Sequence, residues 1–362
     1  MWETYRTIDE TLWRVSGRIR ILKGVSPTQA SIEEARERFF RSRQEGGRAD
    51  VRLAYYPPLS DFGALRSALE QADVPEGPLG PLYEAKRQDL LAKARLLAAV
   101  GTSDFTSYSL AVYGRPTPEV VRRAERFLSE HPPHAWAPRE VPASVLKERF
   151  AQALSTRGLD EWRVVLRTEG VMGVSINHRR RTIEIHAERL FDEPDVARLI
   201  VHEIDTHILR RSQAELTGFR LFALGTAGYL ATEEGLAVFQ EAQQGVLEVN
   251  RLRVYVGQLL AVNTALVGGF GAVFESLLAR GFSDDEAFHI TLRVKRGLSE
   301  VEEPGAFTKD HSYYTGMCAV EAFVEAGGRV EELFILGKIG IEDLPLLRRV
   351  GLVSAMRTRA TA

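Results

Sequence analysis

Leu199-Ile200-Val201-His202-Glu203-Ile204-Asp205-Thr206-His207-Ile208 is the stretch on which the fold turns. With Val196 before them, its apolar residues recur at the three-and-four spacing of a helix that buries one side. Asp192 supplies the start signal, an acceptor for free backbone N–H groups, and Pro194 is a residue tolerated in a first turn. A helix is therefore predicted from Asp192 through Arg211. Immediately upstream the period changes. Segments 163–167, 171–176 and 182–185 are short β-branched runs, separated by Glu169-Gly170 and by the basic turn Asn177-His178-Arg179-Arg180-Arg181. They read as three strands of a small antiparallel sheet. The fold class expected is α+β, mainly helical, with that sheet packed beside the histidine helix.

Outward from this centre the chain is mostly helical. Helices are expected over 31–43, ending at Gly46-Gly47, over 81–100, ending at Gly101, and over 118–128. Tyr55-Tyr56-Pro57-Pro58 is an extended link, because a residue before proline is pushed out of the helical region. The run His131-Pro132-Pro133-His134-Ala135-Trp136-Ala137-Pro138 breaks regular structure and marks a boundary. The division is a helical accessory region, 1–140, and a catalytic domain, 141–362. Segment 256–274 is apolar enough to suggest a membrane span, but Gln258, Asn263, Thr264 and four glycines make a buried helix ending at Gly268-Gly269 the better reading.

Composition narrows the function. The 362 residues are 44% apolar and 27% charged, an ordinary globular balance. Forty-seven basic against 49 acidic residues leave a net charge of −2, without the basic excess that nucleic-acid binding rewards. The single cysteine, Cys318, rules out an internal disulfide framework and a cysteine-built zinc site. A polar N-terminus without an apolar leader segment makes the cytoplasm the expected location.

Chemistry concentrates in His202-Glu203-Ile204-Asp205-Thr206-His207 and, some thirty residues later, Glu233-Glu234-Gly235-Leu236-Ala237. A zinc hydrolase needs three protein ligands, an open position for water and a carboxylate to take its proton. His202 and His207 offer imidazoles, Glu203 a base, and a glutamate of the later helix the third ligand. Five residues apart, the histidines would stand about 140° apart on a regular α-helix, too far round for one ion. A π-type turn, with i→i+5 bonding, returns them to near register, so the reading demands a widened helix between them. Both segments place carboxylate and imidazole within apolar runs, where unpaired polar groups are costly. Asp205 is a candidate partner for an imidazole. His131, His134, His178, His186 and His289 show no ligand spacing.

These residues resemble the tyrosine carboxypeptidase family, whose animal members include the microtubule-associated tyrosine carboxypeptidase and whose bacterial members are called QEGLA-motif proteins. The resemblance rests on the two segments above, with Glu233 where the motif has Gln, and on Gly305-Ala306-Phe307-Thr308-Lys309-Asp310 followed by Tyr314 and Gly316. Weaker echoes are Gly101-Thr102 to Phe105, Tyr113-Gly114 and Lys295-Arg296-Gly297. The resemblance implies a gluzincin-like peptidase core. It also implies one zinc ion held by His202, His207 and Glu234, with Glu203 as base, and a protein or peptide C-terminal tail ending in tyrosine or glutamate as substrate. Neighbours on a helix point about 100° apart, so only one of Glu233 and Glu234 can face the ion.

An oxyanion donor is sought in Tyr313, Tyr314 and His311, the polar groups of the late loop. A free C-terminal carboxylate calls for a cation, and Lys309, Arg296, Lys295 and the Arg179-Arg180-Arg181 run, Arg181 above all, are the candidates. Asn177, ending the strand before the histidine helix, is a candidate for binding substrate backbone, with turn formation as its other role. Two further functions fit the same residues: a zinc amidase or deacylase on a small molecule, and a non-enzymatic regulatory scaffold.

Overall fold

A computed structural model describes residues 2–46, 51–58, 61–168 and 173–360. It is mainly helical with a small sheet. The early helices run Gln29–Gln44, Gly80–Ala98 and Pro118–Glu130, each near its predicted span. Glu169-Gly170 and the start of the second predicted strand, Val171, lie outside the described residues.

The sheet is mixed rather than antiparallel. Strands β1 (Val141–Pro142) and β5 (Leu190–Phe191) form a short antiparallel ladder of their own. The main sheet has β2 (Arg163–Arg167), β3 (Val174–Asn177) and β4 (Thr182–His186) in the order β2-β4-β3. β3 and β4 form an antiparallel hairpin, but β2 lies parallel to β4. The central position of β4 explains its burial, with Ile183 and Ile185 fully enclosed. A strand's side-chain period says which face is covered but not which neighbour it takes, so β2 could not be placed from its own residues. In the turn from β3 to β4, Asn177 accepts the Arg180 N–H on both its backbone oxygen and Oδ1, and Arg181 adopts a left-handed φ of 48°.

Side chains bury into three apolar clusters. Ile183 and Ile185 meet Leu146 and Phe150 of the Ala143–Thr156 helix, together with Ile204 and Ile208. This fastens one side of the histidine segment to the sheet. The two other clusters are shared along the chain. Tyr5, Leu82 and Leu91 pack with Phe222, Leu236 and Val320, and Phe39, Leu97 and Phe105 pack with Val256, Phe274 and Phe288. The apolar 256–274 run is two helices, Val249–Ala265 and Phe270–Leu278, rather than one helix reaching the glycines. Between them the backbone passes so close to another segment that a Cβ on Gly269 would sit 2.1 Å from the Glu302 carbonyl oxygen. No helix among the described residues is long and apolar enough to cross a membrane.

One helix crossing fixes the site. Leu230–Gln243, hereafter the acid helix, meets Ser312–Glu325, the crossing helix, at Gly235 and Gly316. A Cβ on Gly235 would lie 2.0 Å from the Gly316 carbonyl carbon, and one on Gly316 would lie 1.9 Å from the Ala231 oxygen. The two backbones are in direct contact, which only glycine permits.

Candidate metal centre

Asp192 caps the histidine helix by accepting the Asp195 N–H at 2.7 Å. A regular helix runs Glu193–Leu199, and Ile200–Ile208 then continues as a π-helix before α-helix resumes at Leu209–Leu216. The widened pitch shows in the Leu209 N–H reaching the Ile204 oxygen, and in Thr206 Oγ1 donating to the Val201 oxygen five residues back at 3.1 Å. It sets the His202 and His207 rings edge to face, their centroids 4.8 Å apart.

The acid helix brings the third group. Glu234 Oε2 lies 3.7 Å from His202 Nε2 and 3.7 Å from His207 Nε2. One donor atom from each residue falls within 4.8 Å of the others, so this buried cluster could hold a metal ion. Donors about 2.0–2.1 Å from a tetrahedral ion lie roughly 3.4 Å from one another, and the two separations from Glu234, 3.7 Å each, are close to that.

The imidazoles are oriented for such a role. His202 Nδ1 is 2.5 Å from Glu241 Oε1, and His207 Nδ1 is 2.9 Å from Glu233 Oε1. With a carboxylate on each Nδ1, both Nε2 atoms remain for Glu234 and an ion. Glu241 also accepts from Arg198 Nη1 at 3.1 Å and Tyr255 Oη at 3.4 Å. Glu233 accepts from Lys338 Nζ at 3.0 Å and from Arg210. The second oxygen of Glu234 takes Lys309 Nζ at 3.0 Å.

These pairings outweigh burial. Burial alone would raise the Glu234 pKa, but Lys309 and the two histidines hold it far below the usual carboxylate range. Glu233 is likewise held low against burial by Lys338, Arg210 and His207. Burial would lower His202, yet Glu234 and Glu241 raise it to about 10. An anionic Glu234 facing two imidazole nitrogens is a donor set that suits a divalent cation.

Glu203 is half-buried and lines a cavity of about 470 Å³ whose wall carries six guanidiniums, from Arg139, Arg189, Arg198, Arg251, Arg293 and Arg296. Gly173 and Val174, at the outer edge of the sheet, line it too.

The remaining sequence candidates divide. Tyr313 is at the centre: its ring is 6.5 Å from His202, stacked on Tyr255 at 5.1 Å, with Lys309 Nζ 5.1 Å from its centroid. Tyr314, about 100° further round the helix, sits by Arg123 and Cys318 instead. His311 is engaged with Thr315 Oγ1 and the Tyr113 oxygen at 3.1 and 2.8 Å, so the loop's polarity there is structural. Lys309 is committed to Glu234 rather than open to a substrate carboxylate. Arg296 lines the cavity, 3.4 Å from the buried Asp310. Arg181 pairs with Glu215, Lys295 donates to the Gly268 and Glu303 oxygens, and Asn177 closes its turn, so none of these three lines the cavity. Asp205 pairs with Arg157 and not with an imidazole.

Glu241 and Arg198 went unremarked in the sequence. The signal was there: Glu241 lies seven residues after Glu234, two turns along the same helix face, and Arg198 lies four before His202. A family model described as microtubule-associated tyrosine carboxypeptidase matches residues 39–355. No curated protein matches the chain.

Proposed function

Because the chain belongs to the microtubule-associated tyrosine carboxypeptidase family, we propose that it is a zinc-dependent carboxypeptidase that removes C-terminal residues from a protein or peptide. The observation carrying this reading is the convergence of His202 Nε2, His207 Nε2 and Glu234 Oε2 while both Nδ1 atoms are held by other acids. A zinc ion held by these three residues would supply a Lewis acid for the scissile carbonyl and for the attacking water.

Glu203 accepts the proton of that water and returns it to the leaving amine. Tyr313, its ring 6.5 Å from that of His202, donates toward the developing oxyanion. The C-terminal carboxylate enters the arginine-lined cavity, where Arg293 and Arg296 present guanidiniums already steadied by Asp310. The open edge of β3, with Val174 in the cavity wall, offers backbone groups for an extended peptide.

Two measurements test the reading: metal content of the purified chain beside His202→Ala, and release of C-terminal residues from a peptide library. Stoichiometric zinc lost in the variant, with single residues released by the parent, is the expected result. Release of internal fragments, or hydrolysis confined to small acyl compounds, would displace the carboxypeptidase assignment while leaving the metal.

A further inference from the structure

Glu233, the residue at which this sequence departs from the family motif, is not one of the three converging donors, yet it is only 2% exposed. Its Oε1 faces His207 Nδ1 at 2.9 Å and Lys338 Nζ at 3.0 Å, and its Oε2 accepts from Arg210. Each cation is pinned in turn. Arg210 donates to the Leu333 and Ile339 oxygens at 2.9 and 2.8 Å, and Lys338 Nζ lies 3.0 Å from His178 Nε2 in the turn after β3. Segments distant in sequence thus converge on one carboxylate. Two enclosed cations with a single acid between them cannot tolerate its neutralisation cheaply. An amide at 233 would leave both without a counter-charge, so Lys338 and Arg210 demand an acid there.

The same acid settles His207. A carboxylate flanked by two cations accepts but does not donate, so the imidazole proton must lie on Nδ1 and the Nε2 lone pair faces Glu234. We propose that Glu233, clamped by Lys338 and Arg210, is a positioning residue that presents His207 to the metal and thereby sets metal affinity without touching the ion. The proposal rests on the metallopeptidase reading above.

The test uses the full chain and two probes, Zn2+ in competition with a chromogenic chelator and Co2+ followed by its visible absorption. Glu233→Asp keeps the counter-charge but withdraws the oxygen from His207. It should stay folded, bind Zn2+ at least tenfold more weakly and shift the Co2+ bands. Glu233→Gln combined with Lys338→Met removes the acid and one of its cations together. Arg210 keeps its two backbone acceptors but loses its acid, so this variant should melt below the parent; below its transition it should keep the weakened affinity and altered spectrum, which a purely structural role would not produce. Variants that bind Zn2+ within twofold of the parent, with unchanged Co2+ spectra, overturn the proposal, and either folded variant suffices for that. A parent that takes up no metal overturns this role and the metallopeptidase reading together; a parent that binds metal alongside indifferent variants overturns only the role of Glu233.

Discussion

Replacing Gly235 by alanine tests whether the helix crossing positions the metal centre. The added methyl carbon would lie 2.0 Å from the Gly316 carbonyl carbon and 2.4 Å from its oxygen. Ordinary contact begins near 3.4 Å, so one backbone must retreat by about 1.4 Å, and no flexible side chain is available to yield. Overpacking of this kind costs about 1–3 kcal/mol, and backbone against backbone belongs at the upper end. The better helix propensity of alanine returns at most about 1 kcal/mol. At about 2.1 cal/mol/K of unfolding entropy per residue, a 362-residue chain shifts by roughly 1.3 °C per kcal/mol, so a melting temperature about 3–4 °C below the parent is expected. The larger effect falls on the site, because Glu234 is the adjacent residue and moves with the helix. A displacement on the order of 1 Å can cost about a hundredfold in a positioned reaction. Differential scanning calorimetry and a zinc competition titration read both consequences, with Gly271→Ala as control, where the new methyl would meet only Glu302 Oε2 at 3.8 Å. If Gly235→Ala melts within 1 °C of the parent and binds zinc equally well, the crossing does not position the site.

Glu203→Gln should retain the metal and lose on the order of 10²–10⁴ in kcat, read by metal analysis beside a peptide-release assay. Chelation should abolish peptide release, and zinc added at about 100 times its Kd should restore roughly 2.7 kcal/mol of stability, measured as a rise in melting temperature. Arg293→Ala should raise KM for peptides far more than it lowers kcat, and should leave C-terminally amidated peptides unaffected. Lys86 is enclosed, and burial, then Lys93, lowers its pKa to about 8 despite Asp89. Between pH 8 and about 10.5 the unfolded chain binds this proton and the folded one does not, so stability rises with pH across that window. In Lys86→Met a series of urea melts should show that rise reduced, the remainder belonging to Lys295, whose pKa burial also lowers to about 8.

The acid-bearing helix and the widened histidine turn were legible because both break an otherwise apolar period with charge, and because a five-residue interval admits few geometries around one ion. Two strand spans and the helix start at Asp192 were readable for similar reasons, each local in sequence, whereas the crossing of Gly235 on Gly316 was not. The pairing of β2 with β4 was not, since it depends on where a connection carries the chain. Lys309 illustrates the same limit at the site. Its charge suggested an anchor for substrate, but a lysine stem spans several ångströms, and only the fold shows that its ammonium is spent on Glu234. Glu241 stayed hidden because a lone acid near a helix end usually faces water.

The π-helix amounts to one surplus residue inserted into an α-helix. Deleting a residue between His202 and His207 would give the common four-residue interval and leave both imidazoles on a regular spiral. The turns downstream would keep their phase, because the wide turn absorbs the surplus residue and its removal only restores the regular pitch. Arg210, fully enclosed and joined to Glu233, Leu333 and Ile339, would stay in its socket. What the surplus residue alters is thus confined to the stretch between the imidazoles, while the turn beyond stays committed to a second set of partners.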